Sequence, residues 1–96
     1  MRHVVLLRKA RADVDQIWTW IAKDNIPAAD RIKALIDDAM LRLAEIPDQG
    51  HRRQDVRDQS FRFWVVRPYV IAYKFDDTQL TVYRVLHGAR DFTKHF

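Results

Sequence analysis

The fold is decided by residues 61–87, which read FRFWVVRPYVIAYKFDDTQLTVYRVLH. Apolar and polar side chains alternate along three parts of this stretch, a pattern typical of β-strands that bury one face. Pro68 interrupts the first alternation, and the DDT triplet at 76–78 is typical of a hairpin turn. In the last part, Leu80, Val82, Arg84 and Leu86 are alternate residues and are expected to point to one face of the sheet. The stretch therefore predicts a three-stranded antiparallel meander.

The first half of the chain has a helical period instead. Residues 10–23 carry an apolar stripe of Val14, Ile17, Trp18 and Ile21, at the spacing of one helix face. A second helix is predicted from Pro27 to Ile46, before a stop at Pro47 and Gly50. Its predicted core-facing residues are Ala28, Ile32, Leu35, Ile36, Ala39, Leu43 and Ile46.

Residues 2–8 are predicted to form a further strand, at the edge or in the centre of the sheet, and residues 90–96 a helical turn or a tail. The element order predicts an α+β fold: an N-terminal strand, an antiparallel helix hairpin and then the meander, with the helices packed on one face of the sheet. With 96 residues, the chain is expected to be one domain spanning 1–96.

Composition narrows the class of protein. The absence of Cys and of an N-terminal apolar segment long enough to cross a membrane favours a cytoplasmic location without a membrane role. The net charge is +4, and residues 49–96 carry the excess, with nine Lys and Arg against five Asp and Glu. This surplus predicts a surface for phosphates or for an acidic protein segment.

The motifs of metabolic enzymes are missing. Ser60 is the only serine, two glycines cannot form a phosphate loop, and the four histidines show no metal-ligand spacing. We therefore expect no cofactor and no metal. Arginines and lysines of the sheet and the C-terminal end, together with Tyr83, His87 and His95, could instead hold a phosphodiester or an acidic peptide tail.

Two apolar residues lie off the helical stripes. Trp20 lies away from the stripe of the first helix, and Leu41 lies opposite that of the second. Large apolar side chains outside the core stripe are typical of binding grooves. We expect both residues to contact a partner.

Four segments resemble the ParE branch of the ParE/RelE toxin family, and they occur in the same order as in that family. They are DVDQIW at 13–18, LAEIPDQG at 43–50, RPYVIAY at 67–73 and RVLHGARD at 84–91. The resemblance implies the toxin of a type II toxin–antitoxin system. Its partner would be a small ParD-like antitoxin, often a ribbon-helix-helix protein, in a hetero-oligomer that meets nucleic acid only through the antitoxin. Free toxin of this branch is associated with inhibition of DNA gyrase, and hence of growth.

Site residues follow from the resemblance together with the cationic cluster. Residues expected to bind the antitoxin are Trp20, Leu41, Arg62 and Arg84, and those expected to meet the target are Arg90, Lys94 and Phe96. For the ParE branch we expect no catalysis. The alternative is a ribosome-dependent mRNA endonuclease of the RelE type, using Arg62, His87, Arg90, Lys94 and His95. Phe96 stands where such a nuclease would supply a Tyr, which argues against this alternative. A third possibility is an inactive relative that only binds antitoxin.

Overall fold

The predicted order of elements is confirmed by a computed structural model, which describes residues 1–90 and 92–96. Asp91, the last residue of the fourth family-like segment, lies outside the described residues. The strands are β1 (His3–Leu6), β2 (Arg62–Val66), β3 (Tyr69–Phe75) and β4 (Gln79–His87). The helices are α1 (Arg8–Ala22) and α2 (Ile26–Glu45), and Pro47–Gln49 and Phe92–Lys94 form short 3-10 turns. The α+β class is therefore confirmed.

The sheet has the order β1-β4-β3-β2. The meander β2-β3-β4 is antiparallel, whereas β1 runs parallel to β4 along the edge of the sheet. The pairing of β1 with β4 ends at Leu6 and Val82, so β4 continues to His87 without a neighbouring strand on that side. This uncovered edge lies beside α1.

The two helices pack on one face of the sheet, as the sequence predicts. Asn25 caps α2 by accepting a hydrogen bond from the Ala28 N–H at 3.0 Å, and Pro27 lies in the first turn of the helix. The indole N–H of Trp18 donates to Asp30 at 2.9 Å and links α1 to α2. The buried residues of this core are Ala10, Val14, Ile36, Ala39, Met40, Leu43, Tyr69, Ile71, Tyr73, Leu80, Val82 and Val85.

The predicted stripe of α2 was wrong at two positions. Leu35 and Ile46 are 49% and 55% exposed, whereas Met40 is buried. The buried stripe centres on Ile36, Met40 and Leu43, and Leu35 lies about 100° around the helix from Ile36. Ile46 follows the last helical residue and has a non-helical backbone, with φ −130° and ψ 79°, so helical periodicity no longer applies to it.

A bulge in β4 corrects the predicted alternation of that strand. Ala72 pairs with Arg84 but Tyr73 pairs with Val82, so Tyr83 is an extra residue in the ladder. Since one extra residue reverses the parity, Val85 joins the helix-side core and Leu86 turns to the opposite face. The prediction that Leu86 shares a face with Leu80 and Val82 was therefore wrong.

The face of the sheet away from the helices is covered too. Its cluster comprises Val56, Phe61, Phe63, Val70, Ala72, Leu86 and Phe92, with Tyr83 and Phe96 packed against it. The segment between α2 and β2 is held over this face by Lys74, whose ammonium bonds Asp58 at 2.6 Å. Arg53 from the same segment stacks 4.4 Å from the Phe92 ring centroid. The C-terminal end, residues 92–96, is thus part of the packed domain.

None of the helices in residues 1–90 and 92–96 combines the length and the apolar character that a membrane span requires.

Candidate functional site

A largely buried ion pair fastens α1 to the uncovered part of β4. The Arg84 guanidinium donates from Nε to Asp13 Oδ2 at 2.7 Å and from Nη2 to Oδ1 at 2.9 Å. Asp13 Oδ2 also accepts the Val85 N–H at 2.9 Å, satisfying a backbone group that β1 no longer reaches. The Asp13 carboxylate raises the pKa of Arg84 above its ordinary value, because it accepts hydrogen bonds from the charged guanidinium. Asp13 thus holds both the helix and the strand in place.

Two cavities adjoin this pair, one lined by Asp13 and the other by Arg84. The first, the α1 groove, has a volume of about 220 Å³ between α1 and the end of β4. It is lined by Asp13, Gln16, Ile17, Trp20, Tyr69, Val85, Leu86, His87 and Arg90. Trp20 is 70% exposed, with the Lys23 ammonium 5.4 Å from its ring centroid. The Tyr69 and His87 rings pack edge to face, with 5.9 Å between their centroids. The groove is therefore an open aromatic surface, with Arg90 among its lining residues and Lys23 over the Trp20 ring.

The second cavity, the basic cleft, has a volume of about 410 Å³. It is lined by Leu7, Arg8, Lys9, Tyr83, Arg84, Lys94, His95 and Phe96. Arg84 Nη1 lies 3.1 Å from His95 Nδ1. Because a guanidinium can only donate, His95 Nδ1 is the acceptor in this hydrogen bond. Arg84 therefore links the C-terminal end to α1 through Asp13.

The residues predicted to bind antitoxin lie in four separate settings. Trp20 lines the α1 groove, and Leu41 is 51% exposed on α2. Arg62 donates from Nη1 to the carbonyl oxygens of Asp48 and Gly50, both at 3.0 Å, and so holds the chain after α2 against β2. Arg84 forms the ion pair with Asp13. Trp20 and Leu41 present exposed apolar surface, whereas both arginines form contacts that stabilise the fold. Antitoxin binding by all four residues stays a prediction.

The residues predicted to meet a target divide between the two cavities. Arg90 is exposed in the α1 groove, and Lys94 is exposed at the basic cleft. Phe96 lies partly buried, 4.7 Å from the Phe61 ring, and one side of it lines the basic cleft.

The set predicted for the nuclease alternative does not converge. His87 and Arg90 line the α1 groove, Lys94 and His95 line the basic cleft, and Arg62 lies at the start of β2 on backbone carbonyls. General acid–base chemistry needs its groups within hydrogen-bond reach of one substrate. Within the described part of the chain, no group of three or more His, Asp or Glu could hold a metal ion.

Sequence reasoning missed Arg8, Lys9 and the part that Asp13 plays. From the sequence, Asp13 looks like an ordinary acidic residue in an early turn of a helix. It lies on the same helix face as Ala10 and Ile17, however, and this position was the signal for a buried partner. Arg8 and Lys9 open α1, whose first turn has no acidic residue. The helix dipole favours acidic rather than basic residues at this end of a helix. The two cations in the first turn were therefore the signal in the sequence for the basic cleft.

Comparison with known proteins agrees with this architecture. The solved structure of a chromosomal ParDE toxin–antitoxin system from P. aeruginosa is similar, with a TM-score of 0.73 at 20% identity, covering 91% of this chain and 96% of that chain. At this identity the likeness establishes the fold, a small α+β domain of the kind found in that system. No curated protein matches the chain at a significant level.

The family model for the ParE toxin of type II toxin–antitoxin systems, parDE, matches residues 4–92. The chain therefore belongs to the ParE toxin family, and the resemblance seen in the sequence is confirmed.

Proposed function

We propose that this ParE-family protein is neutralised by a ParD-like antitoxin and that its free form inhibits DNA gyrase, and hence growth, without catalysing a reaction. The observation that carries the proposal is the family match over residues 4–92, which spans nearly every element of the fold. The dispersal of the nuclease set over three places supports inhibition by binding rather than RNA cleavage.

Antitoxin binding is proposed to centre on the α1 groove. Trp20 is exposed over 70% of its surface, which is unusual for the side chain most enriched in interface hot spots. Beyond Val85, whose N–H is held by Asp13, the end of β4 has no neighbouring strand on that side, so an extended antitoxin segment could pair there. Leu41, 51% exposed on α2, is proposed as a second and separate apolar contact. An antitoxin tail that is disordered when free would fold over these surfaces on binding.

Titration calorimetry with the cognate antitoxin tests this surface. Trp20→Ala is expected to weaken binding about 30-fold, the effect of losing a hot spot worth about 2 kcal/mol. Leu41→Ala should have a smaller effect. Val65→Ala is the matched control, since Val65 is 48% exposed on β2, which β3 separates from β4 and the groove. Unchanged affinity of a folded Trp20→Ala variant would remove the α1 groove from the antitoxin interface.

Target contact is proposed to involve Arg90, Lys94 and Phe96. Cells that produce the toxin alone should stop growing, and co-production of the antitoxin should restore growth. Mapping of mRNA ends in the arrested cells separates the alternatives. New cleaved ends that disappear with Arg90→Ala would indicate an endonuclease, whereas unchanged ends agree with a gyrase inhibitor. Harmless production without antitoxin would indicate an inactive relative.

A further inference from the structure

We propose that the basic cleft binds a phosphate ester, with its phosphate groups at Arg8, Lys9 and Lys94 and its sugar or base against Tyr83 and Phe96. A single strand of nucleic acid and a mononucleotide share this chemistry. The proposal does not depend on gyrase being the target, because it rests on the cleft alone.

Among the described residues, nothing compensates the charge of the cleft. Arg8, Lys9 and Lys94 line it, and no acidic side chain of residues 1–90 and 92–96 does. Arg84 is also a lining residue, but Asp13 neutralises it. Within residues 1–90 and 92–96, none of the other three cations forms an ion pair. Three exposed cations around one concave surface produce a focused positive potential that attracts a polyanion.

The cleft is built from three segments that are distant in sequence. Arg8 and Lys9 come from the start of α1, Tyr83 is the bulged residue of β4, and Lys94 and Phe96 come from the C-terminal end. The Asp13–Arg84–His95 contacts tie these segments together, and Phe96 packs against Phe61. A volume of about 410 Å³ lies in the range of preformed small-molecule sites. The site therefore needs little rearrangement to receive a ligand.

The position of Arg8 and Lys9 also favours an anionic ligand. Two cations in the first turn of α1, with no acid beside them, oppose the helix dipole and reduce helix stability. A bound phosphate would offset this repulsion by placing negative charge at the same end of the helix.

The apolar part of the lining favours a nucleic acid over an acidic peptide. Tyr83 and Phe96 are both partly buried, so each offers part of an aromatic ring to the cleft. Cations that follow a phosphate backbone, combined with aromatic rings for the bases, are the usual elements of sites for single strands. The carboxylates of an acidic peptide would pair with the cations, but they would not stack on the two aromatic rings.

Fluorescence anisotropy with a labelled 12-nucleotide single-stranded DNA and the full chain tests the proposal. For three phosphate contacts, the plot of log K against log salt is expected to have a slope of about −2. Arg8→Ala and Lys94→Ala should each reduce the steepness by about 0.7. Arg31→Ala is the matched control, because Arg31 is exposed on α2, outside the cleft, and should leave the slope unchanged.

Competition identifies the source of the phosphate. Displacement of the DNA by AMP supports a site that accepts mononucleotides, and binding of the strand without such displacement supports a polynucleotide site. A slope that does not respond to Arg8→Ala and Lys94→Ala would overturn the proposal, as would an absence of binding by the folded protein. Stronger binding of a 12-residue poly-glutamate peptide, lost in the same two variants, would also overturn it and assign the cleft to an acidic protein segment.

Discussion

Replacing Asp13 by Asn should destabilise the domain more than any other single change in a charged side chain of α1. The Asp13 carboxylate accepts two hydrogen bonds from Arg84 and one from the Val85 N–H. Asn keeps the shape of the side chain but removes its charge and offers only one acceptor oxygen. Arg84 would then remain largely buried without a counter-charge.

The magnitude follows from the burial of the pair. The Asp13 side chain is 10% exposed and that of Arg84 19%. Removing one partner of a buried pair costs about 3–5 kcal/mol, and the remaining access of Arg84 to water favours the lower end, about 3 kcal/mol. For a domain of this size, 1 kcal/mol lowers Tm by about 4–8 °C, so we expect a loss of about 12–24 °C.

Thermal unfolding followed by circular dichroism, with urea titration for the free energy of unfolding, measures this effect. Asp15→Asn is the matched control, because Asp15 is exposed on the same helix without an ion pair among the described residues. It should change the free energy of unfolding by less than about 0.5 kcal/mol. A double-mutant cycle with Arg84→Ala isolates the pair itself. A loss below about 1 kcal/mol for Asp13→Asn would refute the claim that this pair joins α1 to β4.

Two further predictions concern the segment between α2 and β2. Tyr73→Phe should cost about 1–3 kcal/mol in urea titration, because the buried hydroxyl accepts the Gly50 N–H at 3.0 Å and donates to the Pro47 carbonyl, and both groups would lose their partner. A loss below about 0.5 kcal/mol would show that water replaces the hydroxyl. The pKa of Asp58 is lowered from 3.8 to about 2, chiefly because its carboxylate accepts a hydrogen bond from Lys74. The ionised carboxylate therefore stabilises the fold above about pH 4, and this contribution disappears as the pH falls through about 2. Urea titrations of the wild type and Asp58→Asn should therefore differ most above pH 4 and converge near pH 2, and a constant difference across this range would contradict the assignment.

Local periodicity was enough to predict the elements of the fold. Period-2 alternation in 61–87 and the apolar stripes of the helices gave the order, the class and the face on which the helices pack. The positions of Trp20 and Leu41 off their stripes correctly indicated exposed side chains. These features depend on residues close together in the chain, so a single sequence contains them.

What could not be predicted depends on tertiary contacts. The bulge at Tyr83 reverses the later part of β4, and nothing in the alternation of that strand marks the extra residue. The ion pair joins Asp13 to a residue 71 positions away. The basic cleft likewise needs the start of α1 and residues 94–96 in one place. Its cations were visible in the sequence, but their convergence was visible only in the folded chain.

Gyrase inhibition is tested by measuring the supercoiling activity of purified DNA gyrase in the presence of the antitoxin-free protein. Supercoiling is expected to be lost at a near-stoichiometric amount of toxin and to be preserved when the cognate antitoxin is added first. Undiminished supercoiling in the presence of protein whose circular dichroism shows it to be folded would contradict gyrase inhibition.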